Sequence, residues 1–154
     1  LEKNQLFHEL RGAEYIEIHG LEKGVADSIE DLYRIAQMIR PHYVVSEQVG
    51  DPENREPLDE FGLLDSDLLI PRTWQESIII YAELSNVDGR KVSIKERVDD
   101  VKDRYTNDPR YNTNTSLVKA METGLDRVLN VCDRVQNLID GKYELEEIMK
   151  YGFI

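Results

Sequence analysis

Residues 73–105 read TWQESIIIYAELSNVDGRKVSIKERVDDVKDRY and contain two helix starts of the same kind. Thr73 is followed three residues later by Glu76, and Ser93 is followed three residues later by Glu96. In such a capping box each residue's side chain accepts a hydrogen bond from the backbone N–H of the other. The pattern therefore predicts that one helix begins after Thr73 and a second begins after Ser93.

Apolar residues at steps of three and four predict further helices on both sides of this stretch. One runs from Asn4 to about His19, another ends at Pro41, and the longest runs from about Ser116 to Asp140. The stripes expected to face the core are Val25, Ile29, Leu32, Ala36 and Ile39 in the second of these helices, and Leu117, Met121, Leu125, Val128, Cys132, Val135 and Ile139 in the longest.

The remaining segments contain little that predicts a sheet. Tyr43-Val44-Val45 is the only β-leaning stretch, and it is too short to carry one. Residues 46–67 hold two prolines and two glycines among many acids, which predicts a loop. A short terminal helix is expected at 143–150. The predicted class is all-α, with residues 1–154 forming a single helical bundle of about five to six helices and one acidic loop insertion.

The chain of 154 residues carries 31 acidic and 19 basic side chains, a formal net charge of −12. This charge repels phosphate backbones and anionic lipid, which argues against nucleic-acid and membrane-surface binding. The longest apolar runs are only a few residues, too short to span a bilayer. The single cysteine, Cys132, and the absence of a signal peptide favour the cytoplasm, and its place on an apolar stripe predicts a buried structural thiol.

Several common catalytic motifs are missing from the sequence: it has no GxxxxGK phosphate loop, no CxxC pair and no GxSxG elbow. Three histidines and a surplus of carboxylates remain as candidates for chemistry. A lone histidine is more often a surface or hydrogen-bonded residue than a ligand. For His19, beside the predicted helix stop at Gly20, that interpretation is sufficient.

The stretches HELRGAEYIEIHGL at residues 8–21 and IAQMIRPH at residues 35–42 resemble the middle of HD-domain metal-dependent phosphohydrolases. Residues 73–84 look like the family's helix that carries an Ala-Asp ligand pair, and residues 91–105 and 116–141 resemble the helices that follow. The adjacent His-Asp pair that names the family does not occur in this chain. The resemblance therefore implies either a fragment without the N-terminal helices of the native protein or a member that has lost them.

The resemblance also implies a metal site. Its ligands here would be His8, His42 and Glu83, an incomplete set for a divalent metal such as Fe, Mn, Mg or Zn. Glu83 stands where the family usually has aspartate, so its carboxylate is one methylene further from the backbone. Arg11 and Arg40 are the implied phosphate contacts, and the alternative is that both form surface ion pairs with neighbouring acids.

The function implied by this resemblance is metal-dependent hydrolysis of a nucleotide or another small phosphate ester. The alternative is a catalytically degenerate HD-like helical module for interaction or regulation, with the acidic loop at 46–67 as its contact surface. A third interpretation is an unrelated acidic helical protein with incidental histidines. The sequence leaves open whether the chain is an enzyme. Loss of N-terminal helices would uncover apolar surface and favour a homo-oligomer.

Overall fold

The computed structural model describes residues 7–52, 69–109, 115–143 and 146. Within these ranges the chain forms six helices and one two-stranded hairpin. The bounds are α1 His8–His19, α2 Ile29–Ile39, α3 Val45–Gly50, α4 Trp74–Leu84, β1 Asn86–Val87, β2 Arg90–Lys91, α5 Ile94–Asn107 and α6 Thr115–Ile139. The predicted all-α class is confirmed. No helix in these ranges has both the length and the apolar character needed to cross a membrane.

Both predicted capping boxes are present. The Glu76 N–H donates to Thr73 Oγ1 at 3.3 Å, and the Thr73 N–H donates to Glu76 Oε2 at 2.9 Å. At the start of α5 the Glu96 N–H donates to Ser93 Oγ at 3.1 Å, and the Ser93 N–H donates to Glu96 Oε2 at 3.2 Å. Each box satisfies two backbone donors that a helix start otherwise leaves unpaired, so α4 and α5 begin where the sequence predicts.

The segment between α4 and α5 is a small antiparallel hairpin, in which Asn86 pairs with Lys91 and Val87 with Arg90. Its turn residues Asp88 and Gly89 have φ values of 50° and 75°. Positive φ at both central positions is the requirement of a type I′ turn, which Asp-Gly meets well. Two residues per strand are too few for the alternation that predicts a strand, so the sequence pattern does not indicate this hairpin.

Helix α6 lies along α3, α4 and α5 and carries much of the core. The main buried cluster comprises Val44, Ile80, Tyr81 and Leu84, Val98 and Val101, and Ala120, Met121, Val128, Cys132 and Val135. The predicted stripe of α6 is therefore confirmed over its central turns. At its C-terminal end the prediction is wrong: Ile139 is 61% exposed, and Leu138 packs against the core instead. At about 100° per residue Ile139 keeps the angular position of the buried stripe, so helix periodicity does not account for its exposure at the last residue of α6.

Helices α1 and α2 pack against each other and bury Leu10, Ala13, Leu32 and Ala36. The contact is tight near the end of α1, because a Cβ at Gly20 would collide with the Leu32 side chain.

The predicted stripe of α2 is wrong at its N-terminal end, where Val25 is 45% and Ile29 is 75% exposed. Val25 precedes the helix, because the Ser28 hydroxyl accepts the Asp31 N–H at 3.1 Å and sets the start of α2 there.

The β-leaning stretch at residues 43–45 forms no strand, in agreement with the expectation that it is too short to carry a sheet: Tyr43 has a left-handed φ of 46°, and Val45 begins α3. The loop prediction for the residues that follow needs correction. The loop predicted for 46–67 therefore starts as a helix that continues to Gly50. Residues 53–68 of that loop and most of the terminal helix expected at 143–150 lie outside the described residues.

Candidate metal centre

The start of α1 and the turn after α2 lie side by side and bring ligand-type side chains together. The donor atoms of His8, Glu9 and His42 all lie within 4.8 Å of one another. The two imidazole rings meet edge to face, with centroids 6.3 Å apart and planes at 75°. Glu83, near the end of α4, contacts His42 through Oε2 against Nε2. These four residues are called the His/Glu cluster below.

The turn that carries His42 is held on both sides. Pro41 ends the helical path of α2, and the Val45 N–H donates to the His42 carbonyl at 3.1 Å. The next residue, Tyr43, takes a left-handed conformation that a tyrosine rarely adopts. Arg127 of α6 donates to the Tyr43 carbonyl at 2.7 Å, which helps to hold this conformation.

The position of His8 depends on Phe7. Phe7 is 2% exposed and packs in a second buried cluster with Leu10, Val45 and Leu69. That cluster places the first turn of α1 against α3, next to the turn that carries His42. The side chain of Phe7 therefore anchors the half of the site that α1 supplies.

The His/Glu cluster has a buried half and an open half. The side chains of Glu9 and His42 are 7% and 11% exposed, whereas those of His8 and Glu83 are 67% and 49% exposed. A ligand would therefore approach past His8 and Glu83, with Glu9 and His42 as the inner wall.

Opposing effects set the pKa values of the contacting pair. Burial lowers the pKa of His42, but the hydrogen bond and charge of Glu83, with the charge of Glu9, raise it above its ordinary value of 6.5. Burial raises the pKa of Glu83, but the hydrogen bond and charge of His42 outweigh this effect. The charges of His8 and Arg97 lower it further, so the pKa of Glu83 lies below its ordinary value of 4.5. A cation would have to displace the imidazole proton that these interactions favour.

The donor set fits a divalent transition metal. Glu9 Oε2 is buried and has no hydrogen-bond partner within the described ranges, and His8 Nδ1 lies 3.4 Å from it. A buried carboxylate oxygen without a donor is unfavourable, and a cation would satisfy it. Two imidazoles and the Glu9 carboxylate suit Fe, Mn or Zn, whereas nitrogen donors suit Mg less well.

Of the three ligands that the resemblance implies, His8 and His42 lie together with Glu9, and Glu83 contacts His42. Glu9 is a member of the cluster that was not among the residues expected from the sequence. One signal could have identified it: Glu9 lies four residues before Ala13 and seven before Ile16, on the face of α1 that packs inward. A carboxylate on such a face needs a partner.

The described contacts of the two arginines implied as phosphate contacts do not include the His/Glu cluster. Arg40 Nη2 donates to Glu17 of α1 at 2.7 Å, in a pair whose side chains are 21% and 28% exposed. Arg40 Nη1 and Glu17 Oε1 are buried without a hydrogen bond among the residues described. Arg11 is half-buried on α1. The described contacts therefore assign Arg40 to an ion pair between α1 and α2, and a role in phosphate binding stays a prediction for both residues.

His19 and Cys132 lie outside the cluster. The His19 ring packs on Tyr15, with ring centroids 4.8 Å apart. Cys132 is 1% exposed within the main core, and burial, with a smaller contribution from the charge of Asp133, raises the pKa of its thiol to about 12. Because the thiolate is the reactive form, this environment suits a structural cysteine, as the sequence predicts.

Comparison with known proteins finds no matching family model, no matching curated protein and no matching solved structure.

Proposed function

We propose that this chain binds a divalent transition metal in the His/Glu cluster and hydrolyses a nucleotide or another small phosphate ester, as a relative of the HD-domain phosphohydrolases. The observation that carries the proposal is the convergence of His8, Glu9 and His42 within 4.8 Å, with Glu83 against His42. The single, buried Cys132 is consistent with action in the cytoplasm.

The chemistry divides between the cation and the chain. A bound divalent metal would supply Lewis acidity for attack on a phosphate ester. Glu9 and His42, on the inner wall, would fix the position of the cation. His8 and Glu83 face solvent, so they border the side from which substrate and water arrive. The contact with His42 fixes the orientation of the Glu83 carboxylate at this border.

The test is metal content and phosphatase activity in matched histidine variants. The purified chain is stripped with a chelator, incubated with Mn²⁺, Fe²⁺ or Zn²⁺, desalted and analysed for bound metal. Wild type and His19→Ala should retain one of these metals, whereas His42→Ala and His8→Ala should lose it. Hydrolysis of a chromogenic phosphomonoester should follow the same order. Equal metal retention in His42→Ala and His19→Ala would contradict the proposed centre.

A helical interaction module without catalysis is the second candidate, and one observation favours it. Six large apolar side chains between residues 15 and 33 are exposed, namely Tyr15, Ile18, Leu21, Val25, Ile29 and Tyr33. Large exposed apolar side chains in one part of a surface are typical of interaction sites. This candidate predicts that wild type neither retains metal nor hydrolyses phosphate esters in the same experiment.

A further inference from the structure

Helices α1 and α2 form a helical hairpin, and its tip exposes most of the large apolar side chains found on the described surface. A Cβ at Gly20 would collide with the Leu32 side chain, so the end of α1 and the first turn of α2 meet at this tip. Eight large apolar residues are exposed in the described ranges, and six of them lie here. These six, called the tip surface below, are Tyr15, Ile18, Leu21, Val25, Ile29 and Tyr33. Single exposed apolar residues are common, but such a concentration is typical of an interaction site.

The connection between the two helices holds part of the tip surface in place. The Gly24 N–H donates to the Leu21 carbonyl at 3.1 Å, and the Val25 N–H donates to the Gly20 carbonyl at 2.8 Å. These two bonds form a Schellman motif, in which Gly24 takes the required left-handed φ of 67°. Leu21 and Val25 therefore lie on a hydrogen-bonded turn. A surface that is ordered before binding loses less conformational entropy when a partner docks.

Acidic side chains border the tip surface. The exposed charged residues between positions 14 and 34 are the acids Glu14, Glu22, Asp27, Glu30 and Asp31 and the bases Lys23 and Arg34. Arg34 Nη2 lies 2.5 Å from Glu30 Oε1, so one of the two bases is already paired with an acid of the same helix. Glu14 lies four residues before Ile18, and Glu30 lies three before Tyr33. Residues at these spacings are neighbours on a helix surface, so apolar side chains and excess negative charge lie side by side.

This combination selects one kind of partner. A symmetric dimer through the tip would bring the same acids of two copies together, and each copy carries a net charge of −12. Anionic lipid would be repelled by the same charge. A polypeptide segment whose apolar side chains are flanked by lysine or arginine matches both features of the tip. A helix suits this position, because the ridges of side chains on two packed helices leave grooves that a third helix can fill.

We propose that the tip surface docks a basic amphipathic helix of another protein, with its apolar face on the tip and its lysines or arginines beside Glu14 and Glu30. This inference does not rest on the proposed hydrolysis. His8 opens α1 and His42 follows α2, so the His/Glu cluster lies at the opposite end of the hairpin. The two sites can therefore be tested separately.

The experiment measures, by fluorescence anisotropy, how a labelled leucine–lysine peptide binds to the full chain after chelator treatment. The leucines of the peptide recur at helical spacing, so one face is apolar and lysines border it. Wild type should bind the peptide. Ile18→Ser and Ile29→Ser should each weaken binding about 10-fold, the effect expected when an apolar side chain is no longer buried. Ile139→Ser is the matched control, because Ile139 is 61% exposed at the end of α6, and it should bind as wild type does.

The contribution of charge is tested with the same peptide. Glu14→Gln and Glu30→Gln should each weaken binding about two- to fivefold, the range for an exposed ion pair. Glu122→Gln, at an exposed position of α6, should have no effect. Binding to wild type should also weaken as the salt concentration rises, because exposed charges are screened. A leucine–glutamate peptide with the same leucine positions should bind clearly more weakly.

Several results would overturn the inference. They are no binding to wild type, equal binding in Ile18→Ser, Ile29→Ser and Ile139→Ser, or equal binding of the leucine–glutamate peptide. Dimerisation of wild type that is lost in Ile18→Ser, measured by analytical ultracentrifugation, would identify a second copy as the occupant. A clearly lower free energy of unfolding in both tip variants than in Ile139→Ser would show that another segment of this chain covers the tip. None of these results affects the metal centre, which is measured by metal retention.

Discussion

Glu47 of α3 and Arg127 of α6 form a two-armed ion pair. Arg127 Nε donates to Glu47 Oε1 at 2.8 Å, and Nη2 donates to Oε2 at 2.8 Å. The side chains are 18% and 21% exposed, so the pair is largely shielded from water. The same Nη2 donates to the Tyr43 carbonyl. Because a bidentate pair fixes direction as well as distance, it ties α3 and the turn carrying His42 to the longest helix.

This ion pair predicts a pH dependence of stability. Burial raises the pKa of Glu47, but the hydrogen bonds and charge of Arg127, with the Ser46 hydroxyl, lower it below the ordinary value of 4.5. A carboxyl whose pKa is depressed on folding stabilises the protein above its unfolded pKa, and this contribution is lost as the pH falls through the folded pKa. The free energy of unfolding should therefore decrease below about pH 4.5.

Glu47→Gln should be less stable than wild type by about 1–3 kcal/mol at neutral pH, since it leaves Arg127 poorly paired. The difference in stability between Glu47→Gln and wild type should become smaller in acid, because wild type loses the same interaction there. Urea titrations at neutral pH and at several lower values measure both effects. Glu122→Gln, at an exposed position of α6, is the control. The same loss of stability with acid in Glu47→Gln as in wild type would show that Glu47 is not its source.

Two glycine-to-alanine changes should affect the free energy of unfolding in opposite directions. Alanine in a helix is ordinarily more stable than glycine by about 0.5–1 kcal/mol. At Gly12 of α1 a Cβ would meet nothing within 4 Å, so Gly12→Ala should be more stable than wild type by that amount. At Gly124 of α6 a Cβ would lie 2.5 Å from Glu47 Cδ and push the carboxylate away from Arg127. Gly124→Ala should therefore destabilise the fold, and thermal melts of the two variants compare them. A stabilised Gly124→Ala would mean that Glu47 can move without losing its partner.

Glu9→Gln should separate stability from metal binding. Without metal, the change replaces a carboxylate whose Oε2 is buried with no hydrogen-bond donor among the described residues, so the free energy of unfolding should stay equal or rise. With free Mn²⁺ at 100 times its Kd, the free energy of unfolding of wild type should rise by about 2.7 kcal/mol. Glu9→Gln should gain clearly less at the same concentration. Glu14→Gln, at an exposed position on α1, should behave as wild type. A full metal-induced gain in Glu9→Gln would remove Glu9 from the donor set.

Cys132 should report global unfolding. Its thiol lies in the main core and has a raised pKa, so a thiol reagent should modify the chain only when the core opens. The modification rate should rise with urea in step with the loss of helical circular dichroism. Fast labelling in the absence of urea would indicate that α6 leaves the core locally.

The parts of the fold that were predictable from sequence depend on short-range bonds. Thr73 and Ser93 each form a hydrogen bond with a residue three positions away, so a short stretch of sequence is enough to predict these helix starts. Helix α3 has only six residues, too few for an apolar stripe, and its ion pair joins Glu47 to a residue 80 positions away. No local pattern carries that information, and this is why the segment was predicted as a loop.

The residues of the candidate site also differ in whether the sequence alone predicts them. His8 and His42 stood out as residue types suited to metal binding, and family resemblance added Glu83. Glu9 did not stand out, because a glutamate in the first turn of a helix is ordinarily exposed. Its significance arises only when the first turn of α1 packs against α3 and leaves Glu9 Oε2 buried without a hydrogen-bond donor among the described residues. Such a juxtaposition depends on tertiary packing.

The pairing of α1 and α2 makes the cluster sensitive to insertions and deletions in one region and tolerant in another. His8 opens a helix of 12 residues and His42 follows one of 11, and the two ends must coincide. One residue added to or deleted from either helix would move its histidine by about 1.5 Å along the axis and turn it by about 100°. The connection between Gly20 and Ser28 bears no such constraint, so homologous chains that keep this cluster should vary in length there and hold the lengths of both helices constant.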